Sequence, residues 1–261
     1  MTTTTTTAPL TAVTAPRLPV LRQLPLLLTW QARRLASALP LLVVVQVLLS
    51  VATVIGYGLL VGRPAPAQAL YLATGAPTVS LVMVGLVMTP QLVVQSRTEG
   101  SADWMRTLPV PRELFLAADL LMWTLVALPG VVLGVVAGVL RFHVHLAPTW
   151  WLVPTALVVS LTAAAVGYAM AWLLPGQVAQ LMSQVLVFVV LLFSPVSFPA
   201  DRMPVWLQHA HHWLPIEPMA QAVRAGLAPG SFSVPGRSVA VLAAWCVLCV
   251  GGAAWALRRR A

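Results

Sequence analysis

The chain contains no lysine among its 261 residues, and this absence removes one activity. A P-loop needs its lysine on the nucleotide phosphates, so no standard ATP-hydrolysing site can be assembled from this chain. Acids are almost as scarce: Glu99, Asp103, Glu113, Asp119, Asp201 and Glu217 are all there are. Charged residues make up 8% of the sequence, against roughly 25% in a soluble domain. A chain so poor in charge cannot cover a water-facing surface, so most of it must be solvated by lipid. The period-two alternation of a membrane barrel is missing, which leaves helices as the way to satisfy the backbone in lipid. No H-E-x-x-H helix is present, as a membrane metalloprotease would want, and no histidine lies within an apolar run to serve a buried serine. No pair of opposite charges lies at depth, whereas ion-driven transporters usually carry ionisable residues there. Asp119 is the one acid inside a span, near its end. The two cysteines, Cys246 and Cys249, form a C-x-x-C within the last apolar run. With no thiolate-stabilising charge nearby they read as inert packing rather than a redox pair.

What is present is apolar: 59% of residues are hydrophobic, gathered into runs that reach the ~20 residues needed to cross a hydrocarbon core of ~30 Å as helix. Six such spans are expected, at about 39–61, 70–94, 114–140, 150–174, 177–198 and 238–257. The fold class is therefore all-α integral membrane protein. Residues 1–16 form a threonine-rich, low-complexity tail expected to be disordered, and 17–261 form a single transmembrane domain. Between them and the first span, Arg17, Arg22, Arg33 and Arg34 alternate with Leu21, Leu24, Leu27, Leu28, Trp30 and Leu35. That pattern predicts an amphipathic helix lying in the membrane surface, with Pro25 as a potential break. Arg33-Arg34 before an apolar run superficially resembles a twin-arginine export signal, with Ala67-Gln68-Ala69 as a cleavage site. The run is too long for that, and further spans follow.

The net charge of +9 comes entirely from arginine. A basic balance can mean nucleic acid, but these arginines lie at the ends of apolar runs, which fits membrane topology instead. Six spans put both termini on one side. If that side is cytoplasmic, the inside holds Arg17, Arg22, Arg33, Arg34, Arg97, Arg106, Arg112, Arg258, Arg259 and Arg260, and the outside only Arg63, Arg141, Arg202, Arg224 and Arg237. This agrees with the positive-inside rule. Trp150, Trp151, Trp206, Trp213 and Trp245 sit near the interfaces, as an aromatic belt would place them.

Between the second and third spans lies a charged island, QSRTEGSADWMRTLPVPREL, from Gln95 to Leu114. Thr98 or Ser101 can cap a short helix over Asp103 to Leu108 that presents Trp104, Met105 and Leu108. Pro109 and Pro111 end it. A merely solvated loop rarely carries such residues with a proline-fixed exit, so the island reads as a docking element on the cytoplasmic side.

Three further constellations stand out. Gly130, Gly134 and Gly138 share one face of the third span and let another helix approach closely, most simply within the protomer. Gln91 and Gln95 share a face at the end of the second span, and Gln177, Gln180 and Gln184 share one at the start of the fifth. They either hydrogen-bond between helices or line the inner mouth of a path. His143, His145, His209, His211 and His212 lie in outer segments at spacings too loose for a zinc site and read as water-facing.

Taken in this order, the motifs resemble the type-2 ABC exporter permeases. The segment E-G-S-x-x-x-x-x-T-L-P-V-P-R-E after the second of six spans is similar to the family's glutamate-glycine pair, short cytoplasmic coupling helix and "L-P-V-x-R" exit. S-P-V-S-F-P-A-D-R-M-P-V-W-L-Q followed by H-W-L-P-I-E-P-M-A-Q-A-V-R is similar to its short outer helices between spans five and six. The resemblance implies a permease of the drug-exporter type in a bacterial plasma membrane, multi-pass with both termini cytoplasmic. It implies two permease copies, or a pair of homologues, with two ATP-binding subunits. The chain itself would bind no cofactor; ATP and magnesium would belong to the partner ATPase. Arg97, Glu99, Gly100, Asp103, Trp104, Met105, Arg106 and Leu108 would face that ATPase. Gln91, Gln95, Gln180 and Gln184 would line the substrate path, with an amphipathic or lipophilic cargo such as a drug, secondary metabolite or lipid. The competing reading is a non-transporting immunity or sensor protein that binds a ligand through its outer segment; a membrane-embedded enzyme finds no support.

Overall fold

The computed structural model describes residues 19–62, 64–100, 110–196, 198–199 and 203–259. The threonine-rich tail and the centre of the charged island, residues 101–109, lie outside them. Among the described residues all regular secondary structure is helical, and six helices are long and apolar enough to cross a membrane.

Helix α1 (Val20–Leu35) is the amphipathic segment, and Pro25 does not break it. The proline costs one bond near the helix start. That loss is offset where Leu24, Leu27 and Leu28 pack on Leu114, Phe115 and Ala118. Helix α2 (Leu39–Val61) buries only Gln46, Ser50, Val54 and Gly58, one residue per turn. Leu41, Leu48, Leu59 and Leu60 face outward, which is no penalty in lipid.

The second span is one continuous rod, Pro66–Thr98, and the most enclosed of the six. It comprises α3 (Pro66–Met83), a single π turn (Val84–Met88) and α4 (Thr89–Thr98). The π turn has a local cause. Pro90 has no N–H to offer the carbonyl one turn back, so the helix must adjust just before it, and with Gly85 packed against α6 it does so by widening one turn. At about 1.5 Å per residue the rod reaches roughly 50 Å, well beyond the hydrocarbon core of ~30 Å. Its far end must therefore leave the lipid, carrying the charged island with it.

Helix α5 (Arg112–Phe142) is nearly as long and ends where His143 adopts a left-handed conformation, φ 51°. Helices α6 (Leu152–Leu173) and α10 (Gly236–Arg259) pack extensively on each other, and α7 (Gly176–Phe193) lies at the edge of the bundle. The fifth span is expected to reach Phe198 but stops at Phe193. Pro195 forces Ser194 into the extended region, ψ 144°, as a residue before proline prefers. Between α7 and α10 lie the short α8 (Val205–His211) and α9 (Ile216–Leu227). The latter is tucked against α3, α6 and α10.

Small residues set the closeness of these contacts. A Cβ on Gly130 would press on Gln46, one on Gly134 on Ser50, and one on Gly138 on Ala73. The glycine stripe of α5 is thus a packing surface within the protomer, for α2 and α3. The closest approach lies deeper, at the π turn. A Cβ on Gly85 would collide with the backbone of Ala163 and Ala164. One on Gly167 would sit 2.8 Å from Pro90 Cδ and closer still to the Gly85 carbonyl oxygen.

Candidate functional site

At the island end of the bundle, α1, the tail of α4 and the first turns of α5 enclose a cavity of about 300 Å³. Its position follows from the folding of α1: Leu27 and Gln31, one turn apart, both turn inward against α5. Gln31 donates from Nε2 to Asp119 Oδ1 at 2.5 Å, and the Tyr168 hydroxyl of α6 lies beside the same carboxylate. Three helices therefore meet at one acid. Asp119 forms no ion pair among the described residues.

The rim of this cavity holds the first residues of the island. Glu99 is exposed, accepts a 2.7 Å hydrogen bond from Gln95 Nε2 and lies 3.8 Å from Arg34 Nη2 of α1. Gly100 follows with φ 74°, a left-handed conformation that ends α4 and favours glycine. Among the described residues no atom lies within 4 Å of where its Cβ would be, and the backbone conformation by itself asks for glycine there. Val110 leads into α5 at Arg112. In the first turn of that helix Glu113 is held by Arg258, whose Nε donates to Oε1 at 3.0 Å. The last turn of α10 is thereby tied to the start of α5.

Arg97 behaves differently from its neighbours. Its Nη1 donates to the Ala171 carbonyl, and its guanidinium lies 5.2 Å from the Trp172 ring centroid. Ala171 is in the last turn of α6, where carbonyls lack intrahelical donors and a cation is favourable. Arg97 thus locks α4 onto α6 inside the protomer while Glu99 and Gly100 stay open to solvent. Asp103, Trp104, Met105, Arg106 and Leu108 lie outside the described residues.

The glutamines lie where the helix faces dictate. Gln91 is half-buried and Gln95 exposed on α4; Gln177, Gln180 and Gln184 are exposed on α7. Gln95 is engaged with Glu99, and no hydrogen bond joins the glutamines of α4 to those of α7 among the described residues. The polar face of α7 is therefore presented outward beside Leu181 and Phe188.

At the opposite end Arg224 of α9 is buried. Its Nη2 donates to the carbonyls of Pro195 at 3.0 Å and Val196 at 2.5 Å, and its guanidinium lies 3.6 Å from the Tyr71 ring centroid. Burial pulls its pKa down to about 10, against the opposing influence of Tyr71 and Glu217, so it is charged at neutral pH. This one residue joins the outer helix, the exit from α7 and the start of α3. The expectation that the outer histidines all face water needs one correction. His211 is buried, with Nδ1 2.9 Å from the Leu207 carbonyl, because α8 is short and folds that ring beneath itself. Among the described residues no three of His, Cys, Asp and Glu come together as a metal set. Cys246 and Cys249 are free, half-buried thiols on α10.

The sequence marks Asp119 as the one acid inside a span, but neither it nor Gln31 was among the expected site residues. The signal was available: a lone acid within a span, where ionisable residues are expensive and rarely idle, and a glutamine on the apolar face of an interfacial helix. The family model of the ABC-2 type transporter matches residues 22–228, from the first turn of α1 to the end of α9. No curated protein matches the chain.

Proposed function

The chain belongs to the ABC-2 type transporter family, and from that membership we propose that it is the permease subunit of an ATP-driven exporter. The ATP-binding subunit is a separate protein, and ATP and magnesium act there. Residues 97–108 form the docking element, on the cytoplasmic side of a bacterial plasma membrane, with Glu99 and Gly100 at its near edge. Asp103, Trp104, Met105, Arg106 and Leu108 supply the rest. Two copies, or a pair of homologues, complete the transporter. Gln91, Gln95, Gln180 and Gln184 face the cargo path between them.

One observation carries this reading. The docking element is strung between the two longest helices of the protein, the Pro66–Thr98 rod and α5. The rod also contains the single π turn among the described residues. π turns and proline steps are where helices bend. A partner that pulls the end of α4 would therefore act on a stiff lever with a seam at Val84–Met88. Above that seam, α3 is held against α5 by close glycine contacts. Motion at the seam is how closure of an ATPase dimer would become a rearrangement around the α4 and α7 faces. The scarcity of charge in the spans favours a cargo that is amphipathic or lipophilic.

The test is purification from native membrane in mild detergent, assayed for a co-purifying soluble ATPase. A stoichiometric ATPase, lost when residues 97–108 are replaced by Gly-Ser, is the expected result. A folded chain that retains no ATPase would refute the permease reading and turn attention to a ligand-sensing role for α8 and α9.

A further inference from the structure

The cavity at the island end carries chemistry that the coupling role does not use. Its rim pair, Arg34 and Glu99, largely answers itself: the two lie 3.8 Å apart, and the Arg34 guanidinium also lies 5.6 Å from the Trp30 ring centroid. Asp119 is different. Its carboxylate lines the cavity, is partly accessible there, accepts a hydrogen bond from the neutral amide of Gln31 and lies beside the Tyr168 hydroxyl. The Arg34 guanidinium on the same cavity wall acts on it through space, but no direct ion pair to Asp119 forms among the described residues. The remaining oxygen of the Gln31 amide is likewise buried without a hydrogen-bond partner.

Around this acid the wall is apolar and aromatic. Trp123 and Met122 follow Asp119 on α5, and Leu92 faces them from α4. Asp119 and Trp123 are four residues apart on a helix, so their side chains stand one above the other about 5–6 Å apart. A carboxylate beside an indole, over an aliphatic floor, attracts an organic cation in three ways: by charge, by cation–π contact and by burial of its apolar body. We propose that this cavity is a binding site for a protonated amine with an aromatic or aliphatic body. Asp119 supplies the counter-charge and Trp123 the face on which the cation rests. The site lies within one protomer, at the island end and beside the interfacial helix α1. It is separate from the outward glutamine face of α7. Its meaning as a cargo entry site rests on the permease reading; the binding itself does not.

The probe is aminoacridine, a planar cation at neutral pH, compared with acridine, its neutral parent of nearly the same shape. Both fit a cavity of about 300 Å³. Fluorescence anisotropy is read on the full chain in zwitterionic phosphatidylcholine nanodiscs, with empty nanodiscs as baseline. Wild type binds aminoacridine at least about tenfold more tightly than acridine, the discrimination expected of a charge-assisted contact out of water. Asp119→Asn keeps the shape and can still accept from Gln31. It removes that discrimination while leaving acridine binding unchanged. Leu92→Trp fills the cavity without touching the acid and abolishes binding of both probes, which keeps the test decisive should Asp119→Asn fail to fold. Equal affinity for the two probes, no binding of either, or unchanged binding in Leu92→Trp overturns the proposal. A chain that recruits an ATPase but does not discriminate the probes loses this site and keeps the permease role. One that discriminates them but recruits no ATPase keeps the site and loses the role.

Discussion

Replacing Gly167 by alanine should destabilise the protein, although the same change in an open helix would stabilise it. Alanine is favoured over glycine in a helix interior by about 1 kcal/mol. At Gly167 the new methyl group would lie 2.8 Å from Pro90 Cδ and nearer still to the Gly85 carbonyl oxygen. Neither neighbour can rotate away: one is a ring closed on the backbone, the other is backbone. Overpacking of a well-packed contact costs about 1–3 kcal/mol, and immovable neighbours put this site at the upper end. The propensity gain offsets part of that, leaving a net loss of about 2 kcal/mol, or roughly 4–8 °C in melting temperature for a chain of this size. Gly251 is the control, because among the described residues nothing lies within 4 Å of its would-be Cβ, and there alanine should leave melting unchanged or raise it. Melting of the purified proteins in one detergent, followed by size-exclusion chromatography, gives the order Gly251→Ala, wild type, Gly167→Ala. A Gly167→Ala protein that melts at or above wild type would refute the close contact between the π turn and α6.

Two other substitutions follow from the ends of the bundle. Arg224→Met strands the carbonyls of Pro195 and Val196 and should cost about 1.5–3 kcal/mol per charge-assisted bond lost, read as a clear fall in melting temperature; unchanged melting contradicts its role as the tie between α9 and the exit from α7. Glu113→Gln removes the pairing with Arg258; because both side chains are largely exposed, its effect stays below about 1 kcal/mol, and a large loss would mean that this contact organises the island end.

The number, order and approximate bounds of the spans were legible because hydropathy over some twenty residues is a one-dimensional quantity. The first span, 39–61, agrees with α2 to the residue. The end of the fifth span at Phe193 rather than Phe198 was not legible, because Ser194-Pro195 breaks a run that stays apolar through Val196 and Phe198. The glycine spacing of α5 predicted close packing, and the partners proved to lie on α2 and α3. The π turn could not be foreseen, since Pro90 alone permits a kink, a break or a widened turn. The close fit of Gly85 against α6 favours the widened one.

The arginines divide the two levels most clearly. Their count on either side of six spans is a matter of net charge and long-range position, and the sequence alone supports an orientation from it. What each guanidinium does depends on which helix end comes within reach. Arg97 reaches the Ala171 carbonyl in the last turn of α6, Arg141 the Gly58 carbonyl in the last turn of α2, and Arg224 the carbonyls just after α7. A helix terminus leaves its last carbonyls unsatisfied, and a planar guanidinium offers several donors at once. Residues that composition marks as topology signals are thereby made into links between helices. Asp119 follows the same rule. By sequence it is one acid in an apolar run, and only the folding of α1 and α6 around it makes its carboxylate part of a cavity wall.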